Sequence, residues 1–138
     1  MTGSVSKKLG IKEGIRAILV NALAEERKAI DLPHLDLATR LNGKFDYIHF
    51  FVRSRKEFND KFPRLKVHLK PTGMLWVSWP KNGQLGTDLT LPTVIELGYK
   101  HGLVESKTIS IDKTWSAIKF THPKKGKEYD NSYGKLKS

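Results

Sequence analysis

Three short apolar runs, separated by segments with helical patterns, constrain the fold of this chain most strongly. They lie at 15–22, 45–52 and 74–79. The first is rich in β-branched residues, and the second is apolar on both faces, which is typical of a central strand in a parallel sheet. Strands that alternate with helices indicate a mostly parallel sheet with helices on both faces. The sequence therefore predicts a single-domain, Rossmann-like α/β sandwich of three layers.

The connecting segments carry helix signals of unequal strength. A helix over roughly 55–69 is predicted, with Ser54 as its cap and Pro63 dividing it into two pieces. The segment 23–30 has helical composition but is short. The segment 35–41 fits an edge strand or a helical turn, and its residues do not decide between the two.

The second half of the chain is predicted to end the sheet with an antiparallel hairpin. Lys70–Gly73 has the composition of a tight turn before the third strand. Thr90 is expected to cap a helix over 93–103. The segments 104–111 and 114–121 then alternate as strands around a short turn.

The ends of the chain differ in composition from its middle. We expect residues 1–8 to form a flexible leader, residues 9–121 to form the domain, and residues 122–138 to form a basic, flexible tail. The sequence leaves open whether the protein is a monomer or a homodimer; the apolar first strand at 15–22 could lie at a sheet edge, and an uncovered edge would invite dimerisation.

Charge and composition exclude several classes of function. The chain has 25 Lys and Arg against 14 Asp and Glu, a net charge of +11. This excess suits a partner that carries phosphates or another anionic group. The absence of cysteine excludes disulfides, thiolate metal sites and cysteine nucleophiles. No apolar run approaches the ~20 residues of a membrane span, and no secretory apolar core follows Met1, so we expect a cytoplasmic protein without a membrane partner.

Four segments together resemble a small bacterial family of uncharacterised proteins. They are KLGIKEGIRAILVNA, FDYIHFFVRSR, LKPTGMLWVSWPK and TWSAIKF, in that order along the chain. At the level of the fold, residues 45–121 are also similar to the second half of a Rossmann-like methyltransferase. That likeness rests on FDYIHFFV, on the LKPTG turn before a strand, on a helix ending YKHGLVE, and on the final hairpin.

The first half of the chain departs from the methyltransferase pattern. That family has a glycine-rich turn after its first strand and an acidic residue after its second, which hold adenosylmethionine. Here the first strand runs into Asn21-Ala22-Leu23, and the next glycine is Gly43. We therefore predict no cofactor, because a fold does not carry its function once the site is gone.

Ligands of open α/β sheets bind beyond the carboxyl ends of the strands. The candidate ligand-binding residues are those the sequence places at these ends: Asn21, Arg53, Ser54, Ser78, Trp79, Lys81 and Asp88. Arg53 and Lys81 are candidates to hold an anion, helped by the free N–H groups of the helix after Ser54. The alternative is that Ser54 only caps its helix and the two cations are solvated.

Two aromatic positions carry competing interpretations. Trp76 and Trp79 lie on opposite faces of a regular strand. An exposed Trp79 would stack on an aromatic ligand; the alternative is that it packs against the loop at 82–90. His49 lies on a central strand, where burial would hold it neutral, and we interpret it as structural. Asp46 is expected at the amino end of that strand, away from the site.

Three functions follow from these observations. The first is a non-catalytic binding module for a small anionic ligand or a protein partner. The second is nonspecific binding of nucleic acid through the basic surface and tail, with an affinity that falls steeply with salt. The third is a degenerate methyltransferase relative, which predicts that adenosylhomocysteine binds.

Overall fold

The computed structural model describes residues 5–131 and 134–137, with side chains described through residue 129. The first four residues of the predicted leader lie outside the described residues. The elements are α1 Val5–Leu9, β1 Arg16–Val20, α2 Ala24–Ile30, β2 Asp36–Ala38, β3 Phe45–Phe51, α3 Arg55–Val67, β4 Leu69–Pro80, a short 3-10 segment Lys81–Gly86, α4 Leu91–Lys100, β5 Val104–Ser110, β6 Trp115–Thr121, β7 Glu128–Asn131 and β8 Gly134–Lys137.

The main sheet has six strands in the order β2-β1-β3-β4-β6-β5. Strands β2, β1, β3 and β4 are parallel, and β6 and β5 are antiparallel additions at one side. This is the mostly parallel sheet with an antiparallel hairpin that the sequence predicts. The segment 35–41, left undecided above, contains the edge strand β2.

Helices cover both faces of the sheet, which confirms the three predicted layers. On one face Phe58 and Phe62 of α3 pack with Val94 of α4 over the sheet. On the other face Leu9 of α1 and Ile30 of α2 pack against the strands. The two faces of β3 and β4 are therefore both buried, as the near-continuous apolar runs of these strands require.

The chain changes direction between β1 and β3, and this position matters for function. From β1 the chain passes through α2 to β2 on one side, and then crosses to β3 on the other side of β1. The carboxyl ends of β1 and β3 are therefore next to one another, while the segments that follow them diverge. This is the switch point at which open α/β sheets bind ligands.

Val5–Leu9 is a helix, and Leu9 at its end is only 1% exposed. Three local predictions were wrong. Pro63 lies inside a single helix, and does not divide α3. Lys70–Gly73 is part of the long strand β4, and not a tight turn; the register against β3 shifts here. β1 lies between β2 and β3, so it is not at an edge of the sheet.

The segment predicted as a tail contains the hairpin β7-β8, which lies beside α4. The division of the chain into leader, domain and tail stays a prediction. Within the part of the chain described above, no helix is long and apolar enough to cross a membrane.

Candidate functional site

An open cavity of about 350 Å³ lies at the switch point, beyond the carboxyl ends of β1 and β3. We call it the switch-point crevice. Its lining consists of Asn21, Leu23, Glu26, Phe51, Arg53, Glu57 and Trp115. Two of the candidate residues from the sequence, Asn21 and Arg53, are therefore brought together here.

Asn21 spans the gap between β1 and α3. Its backbone has a φ of 63°, which Asn tolerates better than most residues. Its amide nitrogen donates to the carbonyl of Phe51 and to Oε2 of Glu57, both at 3.1 Å. Its Oδ1 accepts a hydrogen bond from Nζ of Lys61 at 3.2 Å. The side chain thus bridges the end of β3 and the first turn of α3. A smaller cavity of about 170 Å³ is lined by Val20 and Lys61, among others.

Charges of both signs line the switch-point crevice. Glu26 is 7% exposed, and its Oε1 accepts a hydrogen bond from the backbone N–H of Leu23 at 3.2 Å. Oε2 of Glu57 forms an ion pair with Lys61 at 3.3 Å. The guanidinium of Arg53 is exposed and has no hydrogen bond or ion pair with any of the described side chains or backbone groups. The crevice therefore offers two carboxylates and one unengaged cation.

The apolar part of the crevice consists of the exposed side chain of Leu23 and two aromatic rings. Phe51 and Trp115 meet edge to face, with their ring centroids 5.2 Å apart. Both are almost fully buried, so they present only a small apolar surface to the cavity. Neither was selected as a site residue from the sequence; their only signal was their position at strand ends, Phe51 at the carboxyl end of β3 and Trp115 at the amino end of the antiparallel β6.

The N-terminus of α3 is already capped by the chain's own oxygen atoms. Oγ of Ser54 accepts from the backbone N–H of Glu57 at 3.1 Å, which confirms the capping interpretation. Oδ1 of Asp88 accepts from the backbone N–H of Arg55 at 2.9 Å. A carboxylate therefore already takes the place at which the sequence analysis expected a bound anion.

Lys81 and Trp79 line a different cavity, of about 330 Å³, beside the loop that follows β4. The ammonium of Lys81 donates to Oγ of Ser110 and to the carbonyl of Asp112, both at 2.5 Å. These two hydrogen bonds link the end of β4 to the β5-β6 hairpin. Trp79 is only 5% exposed and packs in the core with Leu89, so the exposed stacking position considered above is wrong.

Ser78 is buried between strands and does not lie at the surface of the carboxyl ends. Its Oγ lies 2.6 Å from Nε2 of His49, and Nδ1 of that ring lies 2.6 Å from the hydroxyl of Tyr47. Burial lowers the pKa of His49 to about 3 and raises that of Tyr47 well above its ordinary value. These directions agree with the prediction that burial holds His49 neutral. Tyr47 was missed, although its spacing of two residues places it on the same face as His49.

Asp46 lies at the amino end of β3, as expected. It accepts a hydrogen bond from the backbone N–H of Arg16 and forms an ion pair with Lys70 at 3.1 Å. It therefore contributes nothing to the switch-point crevice. Among the residues with described side chains, no group of three or more His, Asp or Glu is arranged to hold a metal ion.

Comparison with known proteins identifies the fold. The chain matches no protein-family model, and no curated protein matches it in sequence. Among solved structures it is similar to the magnesium protoporphyrin IX methyltransferase of Synechocystis with bound SAH, at a TM-score of 0.60 and 12% identity over 86% of this chain and 80% of that one. It is also similar to a TehB-like SAM-dependent methyltransferase from Corynebacterium glutamicum, at a TM-score of 0.56 and 9% identity over 86% of this chain and 85% of that one. The chain therefore has the Rossmann-like methyltransferase fold.

Proposed function

We propose that this protein is a degenerate relative of the SAM-dependent methyltransferases that binds a small zwitterion of the amino-acid type in the switch-point crevice. The observation that carries the proposal is the lining of that crevice. It combines an unengaged guanidinium at Arg53 with the carboxylates of Glu26 and Glu57 at the ligand position of the fold.

The residues present do not fit SAM. The turn after β1 has side chains at Asn21, Ala22 and Leu23, where a close approach of ligand to backbone requires glycine. The side chain of Asn21 lies across the gap between β1 and α3, in which an extended ligand would have to lie. After β2 come Thr39 and Arg40, so no carboxylate is available for a ribose. We therefore derive no methyl-transfer step.

The same crevice suits a compact ligand that carries one negative and one positive group. A ligand carboxylate would pair with Arg53, because a guanidinium matches a carboxylate with two parallel hydrogen bonds. A ligand ammonium would lie against Oε1 of Glu57, since the described hydrogen bond and ion pair of that side chain both use Oε2. An apolar ligand side chain would contact Phe51 and Trp115. A volume of about 350 Å³ is within the usual range of small-molecule sites.

We expect calorimetric titration of the protein with L-methionine or L-phenylalanine to show saturable binding. Arg53→Gln should weaken that binding about tenfold, because a hydrogen bond to a charged group contributes about 1.5–3 kcal/mol. N-acetyl-L-methionine, which lacks the ammonium group, should bind correspondingly weakly to the unaltered protein.

Arg55→Gln is the matched control. It removes the same charge two residues away, and the side chain of Arg55 does not line the crevice. Equal loss of affinity in both variants would mean that net charge alone is responsible. If neither amino acid binds, or if the acetylated compound binds as tightly as methionine, the proposal fails.

Binding of nucleic acid through the tail, the cytoplasmic location and the choice between monomer and homodimer stay predictions.

A further inference from the structure

A second cavity, of about 670 Å³, lies at the opposite end of the sheet from the switch-point crevice. We call it the amino-end groove, because it lies where β3 and β4 begin and where α3 and α4 end. It is lined by Lys44, Pro63, Lys66, Val67, Leu69, Pro71, His101 and His122. None of these residues lines the switch-point crevice.

The charged groups of the amino-end groove all have one sign. Its described lining contains two lysines and two histidines, and no Asp or Glu. Nζ of Lys44 donates to the carbonyl of Val67 at 2.7 Å, and Nζ of Lys66 donates to the carbonyl of His101 at 2.9 Å. Each ammonium has three donors, so these single bonds position the two lysines and leave further donors for a ligand.

Glycine permits the position of Lys66. Gly102 has a φ of 90°, and a Cβ at this residue would lie 2.4 Å from Nζ of Lys66. The ammonium therefore passes directly over the end of α4. The resulting positive field acts on His101. The pKa of His101 is lowered by burial and by the charges of Lys100 and Lys66. No carboxylate in the groove balances that field.

The histidines add directed groups to this field. Nε2 of His101 donates to Oδ1 of Asn59 at 2.8 Å, and Nε2 of His122 donates to the carbonyl of Leu69 at 3.1 Å. These bonds fix the orientation of both rings. The two imidazoles are therefore held as flat surfaces beside the lysines.

The remaining lining is apolar and largely flat. Pro63 and Pro71 contribute rigid rings, and Leu69 is almost fully buried behind them. Val67 is 64% exposed. A rigid ring inserted here would cover Val67 and remove apolar surface from water.

We propose that the amino-end groove binds a planar aromatic anion, with its ring between the prolines, Val67 and His101, and its anionic group on the ammonium groups of Lys44 and Lys66. The two ends of the sheet therefore differ in chemistry. The switch-point crevice contains carboxylates and is suited to a ligand with a positive group, whereas the amino-end groove is suited to an anion.

The test is calorimetric titration of the full chain with 1-naphthyl phosphate, 1-naphthol and inorganic phosphate. We expect saturable binding of the first, and binding at least tenfold weaker for the other two, because each lacks either the anion or the ring. Lys66→Gln and Lys44→Gln should each weaken binding of naphthyl phosphate severalfold. Thermal unfolding of each variant checks that the loss is not a loss of folding.

Lys28→Gln is the matched control, because Lys28 is exposed on α2, on the other face of the sheet. An equal effect of this variant would reduce the result to net charge and overturn the proposal. Amide chemical shifts must change at Val67 and His101 on addition of naphthyl phosphate. Changes confined to the switch-point crevice around Asn21, or equal binding of inorganic phosphate, would also overturn it. Because the amino-acid titration uses the other end of the sheet, either proposal can fail alone.

Discussion

We expect the buried ring of His49 alone to lower the free energy of unfolding by about 4 kcal/mol between pH 7 and pH 3. The pKa of this ring falls from an ordinary 6.5 to about 3 in the folded state through burial. Each factor of ten in proton affinity corresponds to about 1.4 kcal/mol. The ring is fully buried, so solvent does not weaken the effect.

The direction of the change in stability follows from which state, folded or unfolded, binds the proton. Below pH 6.5 the unfolded chain protonates His49, while the folded chain keeps it neutral until the pH approaches 3. Stability is therefore complete above pH 6.5 and is lost progressively as the pH falls toward 3. The surroundings oppose protonation, because the ring stacks on Phe51 at 4.5 Å and its nitrogens meet only the hydroxyls of Tyr47 and Ser78.

Urea unfolding at pH 7, 5.5 and 4.5 measures this dependence. His49→Gln cannot titrate in this range and should lose most of the dependence below pH 6.5. His34→Gln is the control, because His34 is exposed and lies outside the buried group of Tyr47, His49 and Ser78. If both variants keep the full acid dependence of the original chain, the buried histidine is not its source.

The second large effect is expected at Gly98, inside α4. A Cβ at this position would lie 2.0 Å from Cε1 and 2.4 Å from Cζ of Phe120. Replacing Gly by Ala within a helix normally stabilises it by about 1 kcal/mol. Here the ring of Phe120 is fully buried and packs edge to face on Phe62 at 5.6 Å, so it has little room to move. We expect Gly98→Ala to destabilise the fold by about 2–3 kcal/mol, because overpacking outweighs the helix propensity.

A double-mutant cycle separates this contact from other effects. Phe120→Ala alone should cost about 3–5 kcal/mol through the cavity it leaves. In the double variant the new methyl group occupies part of that cavity, so the two losses should be less than additive by more than ~0.5 kcal/mol. Urea unfolding of the four proteins gives the coupling. Strict additivity, or a Gly98→Ala variant as stable as the original chain, would contradict the close contact.

Strand and helix positions followed largely from local patterns. The three apolar runs became β1, β3 and β4, and Thr90 and Ser54 cap helices as their chemistry indicates. Segments whose local signals conflict with their tertiary surroundings were predicted less well. Lys70–Gly73 has turn composition, but pairing with β3 draws it into a strand. Pro63 remains inside a helix because the buried stripe of Phe58, Phe62 and Leu65 holds that helix against the sheet.

The site was only partly predictable from the sequence. The sequence places the candidate residues at the carboxyl ends of the strands, and two of them, Asn21 and Arg53, line one cavity. The partners that decide its chemistry are distant in sequence, since Asn21 bonds to Glu57 and Arg55 bonds to Asp88. No local pattern indicates such contacts. The same holds for the amino-end groove, whose lining residues come from five separate segments.

The most direct test of the central claim compares two ligands on the unaltered protein. The claim is that a methyltransferase fold has kept its ligand position but lost the space for an adenosyl group, because Asn21 crosses the gap between β1 and α3. Calorimetric titration with L-methionine and with S-adenosylhomocysteine measures this. We predict that methionine binds and that S-adenosylhomocysteine binds no more tightly than methionine. A dissociation constant for S-adenosylhomocysteine more than tenfold below that for methionine would show that the adenosyl group is recognised, and would contradict the claim.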